Sequence, residues 1–156
     1  METLRTALAC MIFLSLAACA GVPEPAARQA KAEEAALGAG FAGETIRTQR
    51  FELRARLRGT ASGGLLTVYI EGDGFAWERR DRRSADPTPV NPVVMEMAAV
   101  DPSPAIAYLA RPCQFTGGEM ARNCTSDLWT TARYSEEAVA GMSEALDALK
   151  RRADAS

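Results

Sequence analysis

The stretch that most constrains this chain runs from Leu65 to Trp77: Leu-Leu-Thr-Val-Tyr-Ile-Glu-Gly-Asp-Gly-Phe-Ala-Trp. Between Leu65 and Ile70 only Thr67 interrupts a run of aliphatic and aromatic side chains. Such a run reads as a strand buried on both faces, as in the middle of a parallel sheet. Glu71-Gly72-Asp73-Gly74 then stops it. Two glycines around one acid reach backbone conformations that other residues resist, and they let a ligand or a second backbone come close. Open α/β sheets place their ligands at such carboxyl-terminal strand ends. The expected fold class is therefore α/β, and Gly72, Asp73 and Gly74 form the first candidate site.

The flanking segments fit that class. From Thr45 to Arg58 the chain alternates, with Phe51, Leu53, Ala55 and Leu57 on one side and Glu52, Arg54, Arg56 and Arg58 on the other. That predicts a half-buried strand, its arginine row a solvated face rather than an anion site. Thr45 to Gln49 reads as a short strand hairpinned onto it. Gly59 to Gly64 is a turn into the central strand. Downstream, Glu78 to Arg83 interleaves four arginines with two acids, the pattern of a self-paired, solvated loop rather than a phosphate or headgroup site. Asp86 to Pro92 is stiffened by three prolines. Asn91 is expected to cap a helix with Pro92 at its first position, turning Val93, Val94, Met97 and Ala98 inward. Ala105 to Leu109 reads as a second, parallel strand, so Leu65 to Leu109 makes one βαβ unit. Ser135 caps the last helix. Glu136 and Glu137 sit in its first turn and Lys150, Arg151 and Arg152 in its last, both complementing the helix dipole. Its stripe of Val139, Met142, Leu146 and Leu149 is expected to pack on the sheet.

Counts narrow the function. A length of 156 residues allows one domain at most. A net charge of -2 gives no reason to expect nucleic acid or an anionic membrane surface as partner. The chain contains no histidine, so no imidazole is present as general base or metal ligand, and neither metal nor cofactor is expected. The four cysteines, Cys10, Cys19, Cys113 and Cys124, differ in meaning.

Met1 to Ala20 reads as a signal segment. Arg5 supplies a weak positive start, and the apolar core from Leu8 to Leu16 is too short to span a bilayer. It ends in Leu16-Ala17-Ala18-Cys19, which resembles the bacterial lipobox. The resemblance implies a signal peptide over residues 1–18, cleavage before Cys19, diacylglycerol on the Cys19 thiol and an acyl chain on its amine. Several chains anchor a protein stably where one does not. Ala20 in place of Asp fits the outer membrane. The implied location is the bacterial cell envelope, lipid-anchored at the periplasmic face of that membrane. Residues 19–44 then comprise the lipidated Cys and a flexible tether, rich in Ala, Glu, Gly and Pro, with Leu37 and Phe41 nearly alone as large apolar residues. With Cys10 removed and Cys19 acylated, Cys113 and Cys124 are the mature thiols left in a disulfide-permissive compartment. A bond between them is expected over two free thiols or a zinc site, whose spacing they lack.

The Gly72-Asp73-Gly74 turn also resembles the oxyanion-hole turn after the third strand of α/β-hydrolases, the HGGG region, with Glu71 where His is usual. The run "LTVYIEGDGFAW", followed by "DPTPVNP", "YLARPCQ" and "CTSDLWT", resembles bacterial α/β-hydrolase-like lipoproteins from Thr45 to Lys150. The resemblance implies a partial α/β-hydrolase-like domain over residues 45–156, with about three to four strands and two main helices. It implies the backbone N–H of Asp73, helped by Gly74, as an oxyanion donor. No G-x-S-x-G occurs in the chain; Ser62 before Gly63-Gly64 lies in a turn ahead of the central strand. The expected function is therefore the N-terminal portion of an esterase- or lipase-like lipoprotein, inactive as this chain, whose partner is a missing C-terminal half or a donated strand. The alternative is a non-catalytic lipoprotein serving as scaffold or binding module. In the hydrolase topology Leu65–Ile70 lies between Ala105–Leu109 and a fifth strand, so without that neighbour it becomes an edge.

Overall fold

The computed structural model describes residues 21–156. The segment read as a signal, and Cys19 with it, lies outside the described residues. Among the described residues three α-helices, α1 (Pro25–Gly38), α2 (Val93–Val100) and α3 (Glu136–Arg152), accompany six strands: β1 (Ala42–Arg47), β2 (Glu52–Gly59), β3 (Thr67–Ile70), β4 (Trp77–Arg79), β5 (Arg82–Arg83) and β6 (Ala105–Leu109). Four strands form one mixed sheet in the order β1-β2-β6-β3, and β4 pairs with β5 in a separate ribbon. β2 is antiparallel to both neighbours, while β3 and β6 run parallel, Thr67 opposite Ile106 and Ile70 opposite Leu109. The strand–helix–strand unit from β3 through α2 to β6 is the one the spacing predicts.

Helices cover both faces. Ile106 and Tyr108 of β6 pack with Met95 and Ala98 of α2, Ala32 and Ala36 of α1, and Phe41. Ala107 and Leu109 face the other way, into a core with Phe51, Leu53, Trp129 and the inner residues of α3. Every residue of β6 is buried. The strand buried on both faces is thus β6, not the Leu65–Ile70 run. Among the described residues β3 pairs on one side only, Leu65 is 84% exposed and Ile70 47%. Two short apolar runs look alike in sequence, and only the strand order says which has two neighbours. β3 is thus an edge strand of the described sheet.

The tether expectation fails from Pro25 onward. α1 packs Arg28, Ala32 and Ala36, spaced four apart, against the domain. Alanines let a helix approach closely yet give no large apolar stripe, which is why the segment reads as solvated. α1 also overturns the solvated arginine face. It lays Glu33 over β2, where Arg54 and Arg56 donate to its carboxylate at 3.2 and 2.9 Å. The Arg56 side chain is fully buried. Arg58 donates to the carbonyl oxygens of Ala39 and Ala99, at 3.3 and 3.0 Å, and to that of Asp101. It thereby satisfies acceptors at the carboxyl ends of two helices, where a cation also suits the dipole.

Two helix faces differ from expectation. α2 begins after Pro92 with no side-chain cap. Asn91 instead accepts a hydrogen bond from Lys31 Nζ at 2.9 Å. Met95 and Ala98 are buried, while Val93 and Met97 are each 54% exposed. A helix apolar nearly all round carries no periodicity to choose its inner face. In α3, Ser135 Oγ accepts from the Ala138 amide as expected. Its buried face is Ala138, Gly141, Ala145 and Leu149; Met142 and Leu146 pack at the margin and Val139 is 52% exposed. A Cβ on Gly141 would lie 2.8 Å from Phe51 Cδ2, so the small residues set the side that meets the sheet. Among the described residues no helix is long and apolar enough to cross a membrane.

Candidate functional site

The carboxyl ends of β3 and β6 lie side by side, and the turn Gly72–Gly74 begins there. Glu71 continues the ladder by one residue, its N–H donating to Leu109 O at 3.0 Å. Its side chain is 7% exposed and does two things. Oε1 accepts from the Gly72 amide at 3.0 Å, and Oε2 accepts from the Tyr108 hydroxyl at 2.7 Å. Glu71 is thus a carboxylate that ties the turn to the central strand. Burial pushes the Glu71 carboxyl above its ordinary value, although the hydrogen bonds from Tyr108 and Gly72 pull the other way. Burial first, and then the Glu71 charge, push the Tyr108 phenol well up, which keeps it a donor.

Gly74 has φ +64°, and a Cβ there would lie 1.9 Å from Pro87 O. The next amide, Phe75 N–H, donates to that same oxygen at 3.0 Å. Both the conformation and the close approach therefore require glycine. Gln114 Nε2 donates to Gly72 O at 2.8 Å, and the Gln114 carboxamide oxygen accepts from the Arg111 amide at 3.0 Å. Gln114 is adjacent to Cys113, which is bonded to Cys124 with Cα atoms 5.8 Å apart. The loop they close visits positive φ at Cys113, Phe115, Gly117, Gly118 and Asn123. Closing so short a loop contributes about 2–3 kcal/mol, which offsets part of that backbone strain.

Beside the turn lies a cleft of about 510 Å³, walled by Gly72, Asp73, Arg111, Tyr134, Met142 and Leu146 among others. Arg111 Nη1 meets Asp73 Oδ1 at 2.6 Å, and Arg133 Nε stands 3.6 Å from Asp73 Oδ2. The two guanidinium carbons lie 5.0 and 5.3 Å from the ring centre of Tyr134. Neither the Asp73 nor the Gly74 amide donates to a protein acceptor among the described residues. No protein-family model, curated protein or solved structure matches this chain. The chemistry of the cleft therefore has to be read from its own atoms.

Free amides and two guanidinium groups suit an anion or a developing oxyanion. The Asp73 carboxylate would oppose that charge, but it is held in ion pairs on both oxygens. Ser143 lies on the cleft wall and makes no hydrogen bond to a base among the described residues. No group of three potential metal ligands occurs among them either. Of the residues singled out in sequence, Gly72, Asp73 and Gly74 form the turn, Cys113 and Cys124 close the loop behind it, and Cys19 lies outside the described residues. Sequence reasoning missed Arg111, Gln114, Arg133 and Tyr134. Arg111 carries a signal, since it follows a parallel strand at its carboxyl end, where such sheets place ligands. Arg133 and Tyr134 arrive through the irregular segment after Cys124, which no periodicity marks.

Proposed function

We propose that this chain is the oxyanion-turn portion of an α/β-hydrolase-like envelope lipoprotein, with ester or acyl hydrolase ancestry and no turnover of its own. One observation carries the reading: a glycine turn with two unpaired amides follows β3 in a sheet ordered β1-β2-β6-β3. The antiparallel second strand and the parallel β3–β6 pair agree with the front half of that topology. Acyl transfer needs a nucleophile and a base besides oxyanion donors. A serine hydroxyl is a weak nucleophile at neutral pH until a base activates it. These 156 residues hold neither a G-x-S-x-G elbow nor a histidine, so both groups have to come from other residues.

The purified chain should not hydrolyse short p-nitrophenyl esters above a buffer blank, and a fluorophosphonate probe should not label it. A single labelled serine would show that a nucleophile has been missed. Adding a segment that carries G-x-S-x-G and a histidine should restore turnover. Gly74→Ala should then lower kcat by about 10²-fold, because the donor moves out of line. Unchanged kcat in that variant would remove the oxyanion role.

The open β3 edge supports a second reading, a non-catalytic scaffold or binding module. There an extended partner segment would pair with β3 beside α3. A reading frame just downstream with G-x-S-x-G favours the first reading, and its absence the second.

A further inference from the structure

The packing of α1 removes the slack that a tether would give. The helix starts at Pro25, and Arg28 in its first turn is 4% exposed. Arg28 donates to Asp86 O at 3.3 Å and to Thr88 O, and its guanidinium lies 5.2 Å from the Phe75 ring centre. Gly21, Val22 and Glu24 lie along a cleft of about 570 Å³ whose other wall includes Arg79 and Arg82 of the β4–β5 ribbon. Cys19 precedes Gly21 by two residues, which span at most about 7 Å of extended chain. Screening at physiological salt acts over about 8 Å. A surface that holds Cys19 is therefore within one screening length of the ribbon's cleft.

The ribbon's side chains suit such a surface. Arg82 is paired with Glu78 and Arg83 with Asp127, each at 2.6 Å. Arg79 and Arg80 are exposed and make no ion pair among the described residues. Trp77 is 43% exposed, with the Arg83 guanidinium 5.9 Å from its ring. The exposed acids near them are Glu78, which is taken up by Arg82, Asp81 in the ribbon's turn, and Glu24 across the cleft. Two guanidinium groups without ion pairs on the same short ribbon as a half-exposed indole favour phosphate headgroups at a membrane–water boundary. The net charge of -2 belongs to the whole chain; over one screening length the ribbon's own charges decide.

We propose that the β4–β5 ribbon seats on the anionic headgroups of the membrane that holds Cys19, with Arg79 and Arg80 on lipid phosphates and Trp77 in the headgroup layer. The proposal rests on the lipid-anchor reading of Cys19. The mature lipoprotein is reconstituted into phosphatidylethanolamine vesicles with and without phosphatidylglycerol, and acrylamide quenching of its tryptophan fluorescence is measured. Trp129 is 3% exposed, so the quenchable signal is that of Trp77. With phosphatidylglycerol present, the quenching constant should be at most half its value in detergent. Arg79→Gln combined with Arg80→Gln should return it to the detergent value. Equal quenching in detergent and in phosphatidylglycerol vesicles, or undiminished protection in the double variant, overturns the seating. Mass spectrometry of Cys19 separates the two ideas. A bare Cys19 overturns the anchor and the proposal with it, whereas a lipidated Cys19 with unprotected Trp77 overturns the seating alone.

Discussion

Glu71 shows how one side chain sets the position of the turn and gives stability a pH dependence. Its carboxyl holds Gly72 on one oxygen and Tyr108 on the other. Its folded pKa is raised, chiefly by burial. The folded protein therefore keeps this proton at pH values where the unfolded chain, with a glutamate pKa of about 4.3, has released it. The stability Glu71 contributes is complete below that unfolded value and is lost as pH rises through the raised folded one. Glu71→Gln keeps an acceptor for Tyr108 and cannot ionise. Its urea midpoint should gain on the parent's as pH rises from about 4 to about 7. Parallel midpoints across that range would show that the carboxylate carries no net penalty.

At the scale of elements, α1 and β2 depend on each other. Glu33 keeps 32% of its side chain exposed, but Arg56 beneath it has none. Burial alone would raise the Glu33 carboxyl; the hydrogen bonds and charges of Arg56 and Arg54 outweigh it and hold the group below its ordinary value. Its sign is opposite to that of Glu71: the stability is present above the unfolded pKa and lost as pH falls through the folded one. Glu33→Ala would leave the buried Arg56 guanidinium without a counter-ion. The expected loss is about 2 kcal/mol in urea denaturation, below the figure for a fully buried pair because Glu33 still meets water. A loss under about 0.5 kcal/mol would mean that α1 contributes by packing alone. The alternation of β2 was legible in sequence, and so was its inner face of Leu53, Ala55 and Leu57. The partner of its outer face was not, because the segment that brings Glu33 carries no large apolar residue on its inner side, only Arg28, Ala32 and Ala36.

For the molecule as a whole, the open β3 edge of the sheet is the feature with consequences. β3 offers one row of unpaired backbone groups, flanked by Ile70 at 47% exposure and Val139 at 52%. Edges of this kind recruit further strands unless a charge or proline blocks them. A soluble chain beginning at Gly21 should self-associate with rising concentration in sedimentation velocity, and Ile70→Lys should shift it toward monomer. A parent chain that stays monomeric at all concentrations, with a sharp thermal transition, would show the edge to be closed by other means. The position of the candidate site follows from the same sheet, since β3 and β6 end together and Arg111 reaches Asp73 across that end.

By itself the sequence determined the local elements whose causes are local. These are the βαβ unit from β3 to β6, the glycine turn that ends β3, the Ser135 cap of α3 and the paired Cys113 and Cys124. Each follows from backbone preference, capping or, for the cysteines, the compartment and thiol count that the lipobox resemblance implies, none of which needs a distant neighbour. Tertiary structure alone decided which apolar strand is central, because β3 and β6 read alike until β2 takes its place beside β6. It also decided that α1 is part of the domain and that the arginine row is covered, with Arg56 fully buried. An alanine stripe and a charge row acquire their meaning only when they face each other. The cleft belongs to the same class. Its turn is written in consecutive residues, whereas Arg111, Arg133 and Tyr134 come to it from separate segments, and only the closing of the fold puts their charge and ring beside Asp73.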